Sequence, residues 1–338
     1  MKLAINGLGR IGRLTLRHLV KVPGLEIVGV NDQTEPRILA HLIKHDSVHG
    51  RAAFSVSHEI DALVLDGVRI PVFRESDPAQ LPFGTLGARL VLECTGRFSN
   101  RAGALNHLRG GVERVLISAP SEDADRTLVM GVNEATLQPT DRILSAASCT
   151  TNGLAIMAKV LDDAFGLEYG LMTAVNSYTS DQNILDLPHE DLRRARAASM
   201  SMIPTSTGAA QAIGLVLPHL SNRLDGIAVR VPTPDVSLTD LTALLRQSVT
   251  RDDVNRAFEA AAHGPLQGYL EVLDEELVST DLVGREASCL FDPFLTKVMD
   301  GTMTKVHGWY DNEWGYAARM RDLAVLLLGV GLPVREPR

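Results

Sequence analysis

An α/β fold in two domains is predicted by three observations. A short apolar strand at residues 2–6 runs straight into Gly7-Leu8-Gly9-Arg10-Ile11-Gly12 and a helical pattern. A second strand-like run, Leu25 to Val30, closes at Asn31-Asp32. After Ser148 the patterning changes, from evenly spaced apolar strands to a long helix and then scattered strand-like runs. At 338 residues the chain has room for about two domains of roughly 150 residues each.

The elements follow in order. Strand 2–6, a helix carrying Leu14, Leu16, Leu19 and Val20, and strand 25–30 make a βαβ unit, the crossover that parallel strands require. Apolar runs at Leu90–Cys94, Val115–Ser118 and Ile143–Ala146 continue a mostly parallel sheet. This first part reads as a Rossmann-type dinucleotide-binding domain. Residues 149–165 read as a helix with Leu154, Met157, Leu161 and Phe165 on one face and Gly166 as its cap. Strand-like runs follow at Leu171–Val175, Ile227–Val231 and Tyr269–Leu273, as in an α+β domain. The long polar and basic stretch from Ser177 to about Thr205 has the length of a functional segment rather than a plain connection. A last helix, from about Trp314 to Leu328, alternates apolar and charged residues. The expected division is residues 1–148, with the C-terminal helix 315–338 packing back on them, and 149–314 as the second domain.

Composition excludes several classes. The chain is 45% hydrophobic and 22% charged, ordinary for a globular protein. A net charge of -8 without a basic run disfavours nucleic acid. The cluster Arg193-Arg194-Ala195-Arg196 is weak evidence against that; an arginine there fits a phosphate site or a subunit contact. No signal peptide precedes the glycine turn, and no run of about 18 apolar residues is present, so no membrane partner is expected. Cys94, Cys149 and Cys289 are too few and too dispersed for a disulfide framework or a CxxC metal site. A reducing compartment, the cytoplasm, fits them.

The glycine-rich turn carries the first chemical inference. It follows a strand, opens a helix, and has an acid, Asp32, twenty residues beyond Gly12, which is the context the dinucleotide fingerprint needs. Gly9, Arg10 and Ile11 are the expected contacts, where backbone N–H groups at the helix start meet a pyrophosphate. Asp32 would accept hydrogen bonds from the adenine-ribose hydroxyls and repel a 2′-phosphate, which favours NAD over NADP. Alone, these glycines would do no more than build a tight turn. Cys149 opens the second domain's first helix within Ser148-Cys149-Thr150-Thr151-Asn152. Helix dipole and free N–H groups there favour a thiolate, although a lone cysteine so placed is more often inert. The hydroxyls around it suit a phosphate or a developing oxyanion.

At this point a resemblance becomes specific. Ala147-Ser148-Cys149-Thr150-Thr151-Asn152 resembles the active-site signature of glyceraldehyde-3-phosphate dehydrogenases. So do Ile5-Asn6-Gly7-Leu8-Gly9-Arg10-Ile11-Gly12-Arg13, His45-Asp46-Ser47-Val48-His49-Gly50 and Leu185-Asp186-Leu187-Pro188-His189. Leu192-Arg193-Arg194-Ala195-Arg196, Ile203-Pro204-Thr205-Ser206-Thr207-Gly208, Arg230-Val231-Pro232-Thr233-Pro234 and Trp309-Tyr310-Asp311-Asn312-Glu313-Trp314-Gly315-Tyr316 continue the match across nearly the whole chain.

The resemblance implies a homotetrameric, glycolytic oxidoreductase acting through a covalent intermediate. Cys149 attacks the aldehyde, the thiohemiacetal gives a hydride to NAD, and inorganic phosphate cleaves the thioester. It implies that Thr179 and Arg230 bind the phosphate of the substrate. Ser148, Thr150, Thr207 and Gly208 would bind the attacking phosphate. Asn312 would orient the nicotinamide amide, with Ser118 and Tyr316 helping to hold the ring and Thr95-Gly96 lying where the cofactor passes. Residues 177–201 resemble the loop that reaches a neighbouring subunit's cofactor. Arginine suits phosphate geometry, although Arg230 and Thr179 taken singly are a surface charge and a loop hydroxyl.

The sequence departs from the family's pattern at three places. Where the family carries its catalytic histidine, this chain has Asn176. An asparagine can donate to an oxyanion but cannot take a proton at neutral pH, and losing a general base typically costs about 10²–10⁴ in rate. Asn176 is either a replacement that slows turnover or a natural feature of attenuated or altered chemistry. Gly153 replaces a second cysteine found in many relatives, at some cost to the helix. Gln33 replaces an apolar residue of the adenine pocket. His41 and His45, four apart on a predicted helix, lack a third metal ligand, and His307 reads as structural. Cys94 reads as buried and inert. Two rival functions remain: erythrose-4-phosphate dehydrogenase, with the same cysteine logic, and a non-catalytic NAD-binding relative.

Overall fold

The computed structural model describes residues 1–329; residues 330–338 of the expected C-terminal helix lie outside the described residues. Contacts divide the chain into two units. One holds Met1–Leu128 and Ala135–Ala147 with the segment that begins at Ala317. The other holds Val129–Glu134 and Ser148–Tyr316.

In the first unit, β1 (Lys2–Asn6), α1 (Arg10–Leu19) and β2 (Glu26–Asn31) form the predicted crossover, and β1 pairs β2 in parallel. A second helix, α2 (Pro36–Lys44), starts with proline where its missing N–H costs nothing. Three strands follow that the sequence reading passed over: β3 (Val56–His58), β4 (Ala62–Leu65) and β5 (Val68–Phe73). Then come β6 (Leu90–Glu93), α3 (Arg101–Leu105), β7 (Arg114–Ile117), β8 (Arg126–Thr127) and β9 (Ile143–Ser145). Among the described residues these make one nine-stranded sheet in the order β8-β9-β7-β6-β1-β2-β5-β4-β3. It is parallel from β8 to β5 and antiparallel through the last two pairings. Ala4, Val28, Phe83, Val91 and Val112 pack on it.

The second unit opens with α4 (Cys149–Phe165), capped by the Ser148 side chain at one end and by Gly166 (φ 73°) at the other. Its sequence suggested one buried face, but nearly every residue from Thr150 to Leu161 is buried, so it is a central helix enclosed on all sides. Around it run β10 (Leu167–Ser177), β11 (Ile203–Thr205), β12 (Leu224–Val231), β13 (Ser237–Leu245), α5 (Arg251–Ala262), β14 (Leu270–Val272), β15 (Cys289–Phe291), β16 (Lys297–Met299) and β17 (Met303–Tyr310). The sheet order is β11-β12-β10-β13-β17-β15-β14, with β16 on β17. Residues 178–202 form the long irregular segment expected between β10 and β11.

The last helix, α6 (Trp314–Leu328), has the predicted extent. Its alternating charges do not face solvent. Arg319, Arg321 and Asp322 are buried, and both arginines pair with Asp322, at 2.7 and 2.9 Å. Arg114 donates to the Leu327 carbonyl at 3.1 Å. Charges enclosed in this way must be paired, or the desolvation cost would unfold the segment.

Candidate active site

The second unit gathers its chemistry at one edge of the sheet. Strands β10 and β12 are parallel and end together, with Asn176 opposite Arg230 in register. Strand β17 ends, and the antiparallel β13 begins, at the paired residues Tyr310 and Ser237. Cys149 is the first residue of α4 and is half-buried. The residue before its cap, Ala147, is held at φ 57°, a left-handed conformation that costs a non-glycine residue of order 1–3 kcal/mol and is common at functional sites.

A directed line of hydrogen bonds joins these ends. The Tyr310 hydroxyl donates to Asn176 Oδ1 at 2.9 Å. Thr150 Oγ1 lies 2.9 Å from the same Tyr310 hydroxyl, in a hydrogen bond that either oxygen can donate. Arg230 donates to the Ser177 carbonyl at 3.0 Å, and its buried Nε has no partner among the described residues. An unpaired guanidinium nitrogen held inside a protein is what an anion would satisfy.

Burial pushes the Cys149 thiol up from its ordinary value. The Arg230 cation, a hydrogen bond with Thr150 and backbone N–H groups at the helix start pull it down without reversing the shift. The helix start favours the thiolate, as its N–H groups act in that direction, but desolvation outweighs them and position 176 holds no cation. Burial likewise holds the Tyr310 phenol above its usual range, so Tyr310 keeps its proton.

The other predicted phosphate residues are not tied to this cluster. Ser148 Oγ caps the helix, accepting from the Thr151 N–H at 3.0 Å. Thr179 donates to Asp181, and Asp181 also pairs with Arg194 at 3.5 Å. Thr207 accepts from the Ala209 N–H at 3.2 Å, and the Gly208 carbonyl accepts from Ala212 at 3.0 Å. Among the described residues no hydrogen bond links Thr179, Thr207 or Gly208 to Cys149. Arg194 turns inward onto Thr205 at 3.0 Å, whereas Arg196 pairs with Asp186 at the surface. Asn312 is buried and its Oδ1 accepts from Ser237 at 2.7 Å, which leaves its amide nitrogen as donor. Tyr316 is buried. His307 pairs with Asp240 on the neighbouring strand.

In the first unit each fingerprint glycine has its own reason. A Cβ on Gly12 would lie 2.0 Å from the Gly7 carbonyl, and one on Gly7 (φ +93°) would lie 2.7 Å from the Thr95 nitrogen. A Cβ on Gly9 would meet nothing within 4 Å. It would fill open space at a helix start that has neither a side-chain cap nor an acid in its first turn. That cradle of unused N–H groups fits a pyrophosphate. Asp32 accepts from the Leu8 and Thr34 N–H groups at 2.8 and 2.9 Å, which fixes its carboxylate beside the turn.

Arg10 points its side chain at both oxygens of Asp46, at 2.5 and 3.2 Å, so only its backbone is available to a cofactor. Burial opposes the Asp46 charge, yet hydrogen bonds from His49, Arg10 and two backbone N–H groups hold its carboxyl far below the usual range. Ile11 and Ser118 are half-buried. Cys94 is half-buried rather than buried, and desolvation of its sulfur pushes the thiol up to about 12. His41 and His45 lie with ring centroids 5.1 Å apart, and no three-ligand group among the described residues includes them.

Known proteins match two stretches of the chain separately. Residues 1–101 match the family described as "Glyceraldehyde 3-phosphate dehydrogenase, NAD binding domain", and residues 148–312 match its "C-terminal domain". The chain belongs to the glyceraldehyde 3-phosphate dehydrogenase family. Among relatives, a glyceraldehyde-3-phosphate dehydrogenase of Geobacillus stearothermophilus is 52% identical over 333 residues, covering 98% of this chain and 99% of its own length. Glyceraldehyde-3-phosphate dehydrogenase 1 of Bacillus subtilis is 51% identical over 333 residues, with the same coverage. Glyceraldehyde-3-phosphate dehydrogenase 2 of Streptomyces avermitilis is 50% identical over 329 residues, 97% of this chain and 98% of that one.

Within this glyceraldehyde 3-phosphate dehydrogenase fold, sequence reasoning missed three supporting groups. Tyr310 stood inside a quoted motif without a role, and Ser237 had no signal beyond its place at a strand start. Glu93 is buried and accepts from Asn6 and His107 at 2.6 and 2.9 Å and from the Thr95 N–H at 2.8 Å. It therefore pins the turn where Thr95 was expected to meet cofactor. Gly153 also gains a physical reason. A Cβ there would lie 2.9 Å from the Ser288 carbonyl, so α4 packs too closely for a larger residue.

Proposed function

We propose that this chain oxidises glyceraldehyde 3-phosphate to 1,3-bisphosphoglycerate with NAD and inorganic phosphate, through a thioester on Cys149. The observation that supports it best is the convergence of Cys149, the Thr150–Tyr310–Asn176 line and the unsatisfied Arg230 Nε at one sheet edge.

The Cys149 sulfur bonds to the aldehyde carbon, and the carbonyl oxygen becomes an oxyanion that takes up a proton. Asn176 donates to that oxygen; it cannot accept the thiol proton, which leaves to solvent. When bound, NAD would accept the hydride from the thiohemiacetal carbon, with the hydroxyl proton passing to solvent as the thioester forms. A phosphate oxygen then attacks the thioester carbon, the carbon–sulfur bond breaks, and Cys149 leaves as thiolate. Arg230 and Thr179 hold the substrate phosphate. The turn Thr207-Gly208, the Ser148 hydroxyl and the N–H of Thr150 hold the attacking one. Asn312, Tyr316, Ser118 and Thr95 orient the nicotinamide side, and Gly9, Arg10, Ile11 and Asp32 the adenylate side. Residues 1–148 serve as the NAD-binding domain and 149–314 as the catalytic domain. Without a base at 176, turnover is slowed by about 10²–10⁴.

The protein works as a homotetramer in the cytoplasm. Supporting this are exposed Tyr169, Leu171 and Ile227 on the sheet face and exposed Ile184, Leu192 and Met200 in the segment after β10, surfaces that copies of the chain would cover. No described helix is long and apolar enough to cross a membrane, and the three cysteines are free. The test of function is NADH formation with glyceraldehyde 3-phosphate and with erythrose 4-phosphate, each with and without phosphate. Phosphate-dependent turnover that prefers the first aldehyde is the expected result. Preference for the second, or no NADH with either, overturns the reading.

A further inference from the structure

We infer that Tyr310 is a positioning residue that locks the Asn176 amide with its oxygen inward and its N–H₂ toward the reacting oxygen, so that position 176 serves as a hydrogen-bond donor. The inference rests on the proposed chemistry at Cys149 and extends it. Asparagine can present either end of its amide, and the two ends have opposite effects on a developing oxyanion: nitrogen stabilises it and oxygen repels it. A free amide would sample both. In the structure the oxygen end of the amide faces the Tyr310 hydroxyl. The Tyr310 hydroxyl donates to Asn176 Oδ1 at 2.9 Å and shares a second hydrogen bond with Thr150 at 2.9 Å. Asn176 is buried and Tyr310 is enclosed at 2% exposure. The amide nitrogen has no partner among the described residues and is not among the sealed, unpartnered atoms. It is the open end of the line.

The lock is built by secondary structure rather than by a loop. Tyr310 closes β17, Asn176 lies near the end of β10, and Thr150 is in the first turn of α4. The phenol ring also packs beside Gly153, its Cδ1 3.5 Å from where a Cβ would stand. The close helix approach that excludes a larger residue at 153 is thus part of what holds the ring.

A double-mutant cycle with Tyr310→Phe and Asn176→Ala tests this. The readout is the single-turnover rate of NADH formation from glyceraldehyde 3-phosphate. Asn176→Ala should slow acylation by about 10²–10³, the usual loss of an oxyanion donor. Tyr310→Phe should slow it by a smaller factor, roughly tenfold or more, with NAD affinity unchanged. In the Asn176→Ala background, Tyr310→Phe should change the rate by less than about twofold, because the amide it positions is gone. Equal slowing in both backgrounds overturns the inference and leaves the proposed function standing. An Asn176→Ala chain as fast as the parent removes the donor role itself, and a parent chain that forms no NADH removes the function. A second readout needs no turnover: protection of Cys149 from iodoacetamide by the aldehyde without NAD reports thiohemiacetal stability. That protection should weaken in each single variant and no further in the double.

Discussion

Replacing Asn176 with histidine should accelerate NADH formation by about 10²–10⁴, the contribution of a positioned general base, equivalent to roughly 3–5 kcal/mol of barrier. The structure indicates which terms change. The Tyr310 hydroxyl, 2.9 Å from the present amide oxygen, can hydrogen-bond one imidazole nitrogen and leave the other for the reacting groups. Donation to the oxyanion is kept, and uptake of the thiol proton is added. The thiol should respond as well. Burial now holds Cys149 up, with Arg230 as the opposing cation, and a neighbouring imidazolium would lower it further. The alkylation profile of Cys149 should therefore move to lower pH in Asn176→His than in the parent. Steady-state NADH formation and the pH dependence of iodoacetamide inactivation, measured on both proteins, report the two effects separately. If Asn176→His gains neither rate nor a lower thiol titration, position 176 does not face the chemistry and the site is wrongly assembled.

Three further outcomes are expected. NAD should bind better than NADP, since a 2′-phosphate beside Asp32 sets like charges together at a cost of several kcal/mol; equal affinities by titration would mean that the carboxylate fixed by Leu8 and Thr34 does not meet the ribose. Arg230→Leu should weaken binding of the phosphorylated aldehyde by about 1.5–3 kcal/mol, leave NAD affinity alone and move Cys149 alkylation to higher pH; unchanged kinetics would remove Arg230 from the site. Gly153→Ala should lower the melting temperature, because a Cβ 2.9 Å from the Ser288 carbonyl overpacks the helix by about 1–3 kcal/mol; a raised melting temperature, the result that helix propensity alone favours, would show that α4 has room to relax.

The parts legible in the sequence were those written in local pattern. Strands β1, β2, β6, β7 and β9 are continuous apolar runs because a parallel sheet is covered on both faces. Helix α4 announced itself through Ser148 at its start and Gly166 at its end. Other elements carried their signal elsewhere. Asp66-Gly67 is the two-residue turn between β4 and β5, both residues at positive φ, and that dipeptide was the cue for the hairpin. Strand β13 turns Ser237 and Thr239 inward with Leu241, Ala243 and Leu245, so its alternation is hidden from a hydrophobicity count. Helix α5 begins with a Thr250–Asp253 capping box, a readable signal that was passed over.

The site divides in the same way. Cys149 and the glycine turn are local motifs and could be located in advance. The Thr150–Tyr310–Asn176 line joins residues far apart in sequence through sheet register, so no spacing rule reveals it. The thiol showed the limit of local reasoning most clearly: a helix start argued for a thiolate, and desolvation, a property of the whole fold, set the opposite direction.

The central claim is a covalent acyl intermediate on Cys149. Incubating the chain with NAD and glyceraldehyde 3-phosphate, without inorganic phosphate, and reading the protein by peptide mass spectrometry tests it directly. The account predicts one NADH per chain, a phosphoglyceroyl adduct on the peptide that carries Cys149, and loss of that adduct when phosphate is added. NADH formed with no adduct, or an adduct on Cys94 or Cys289 instead, would contradict it.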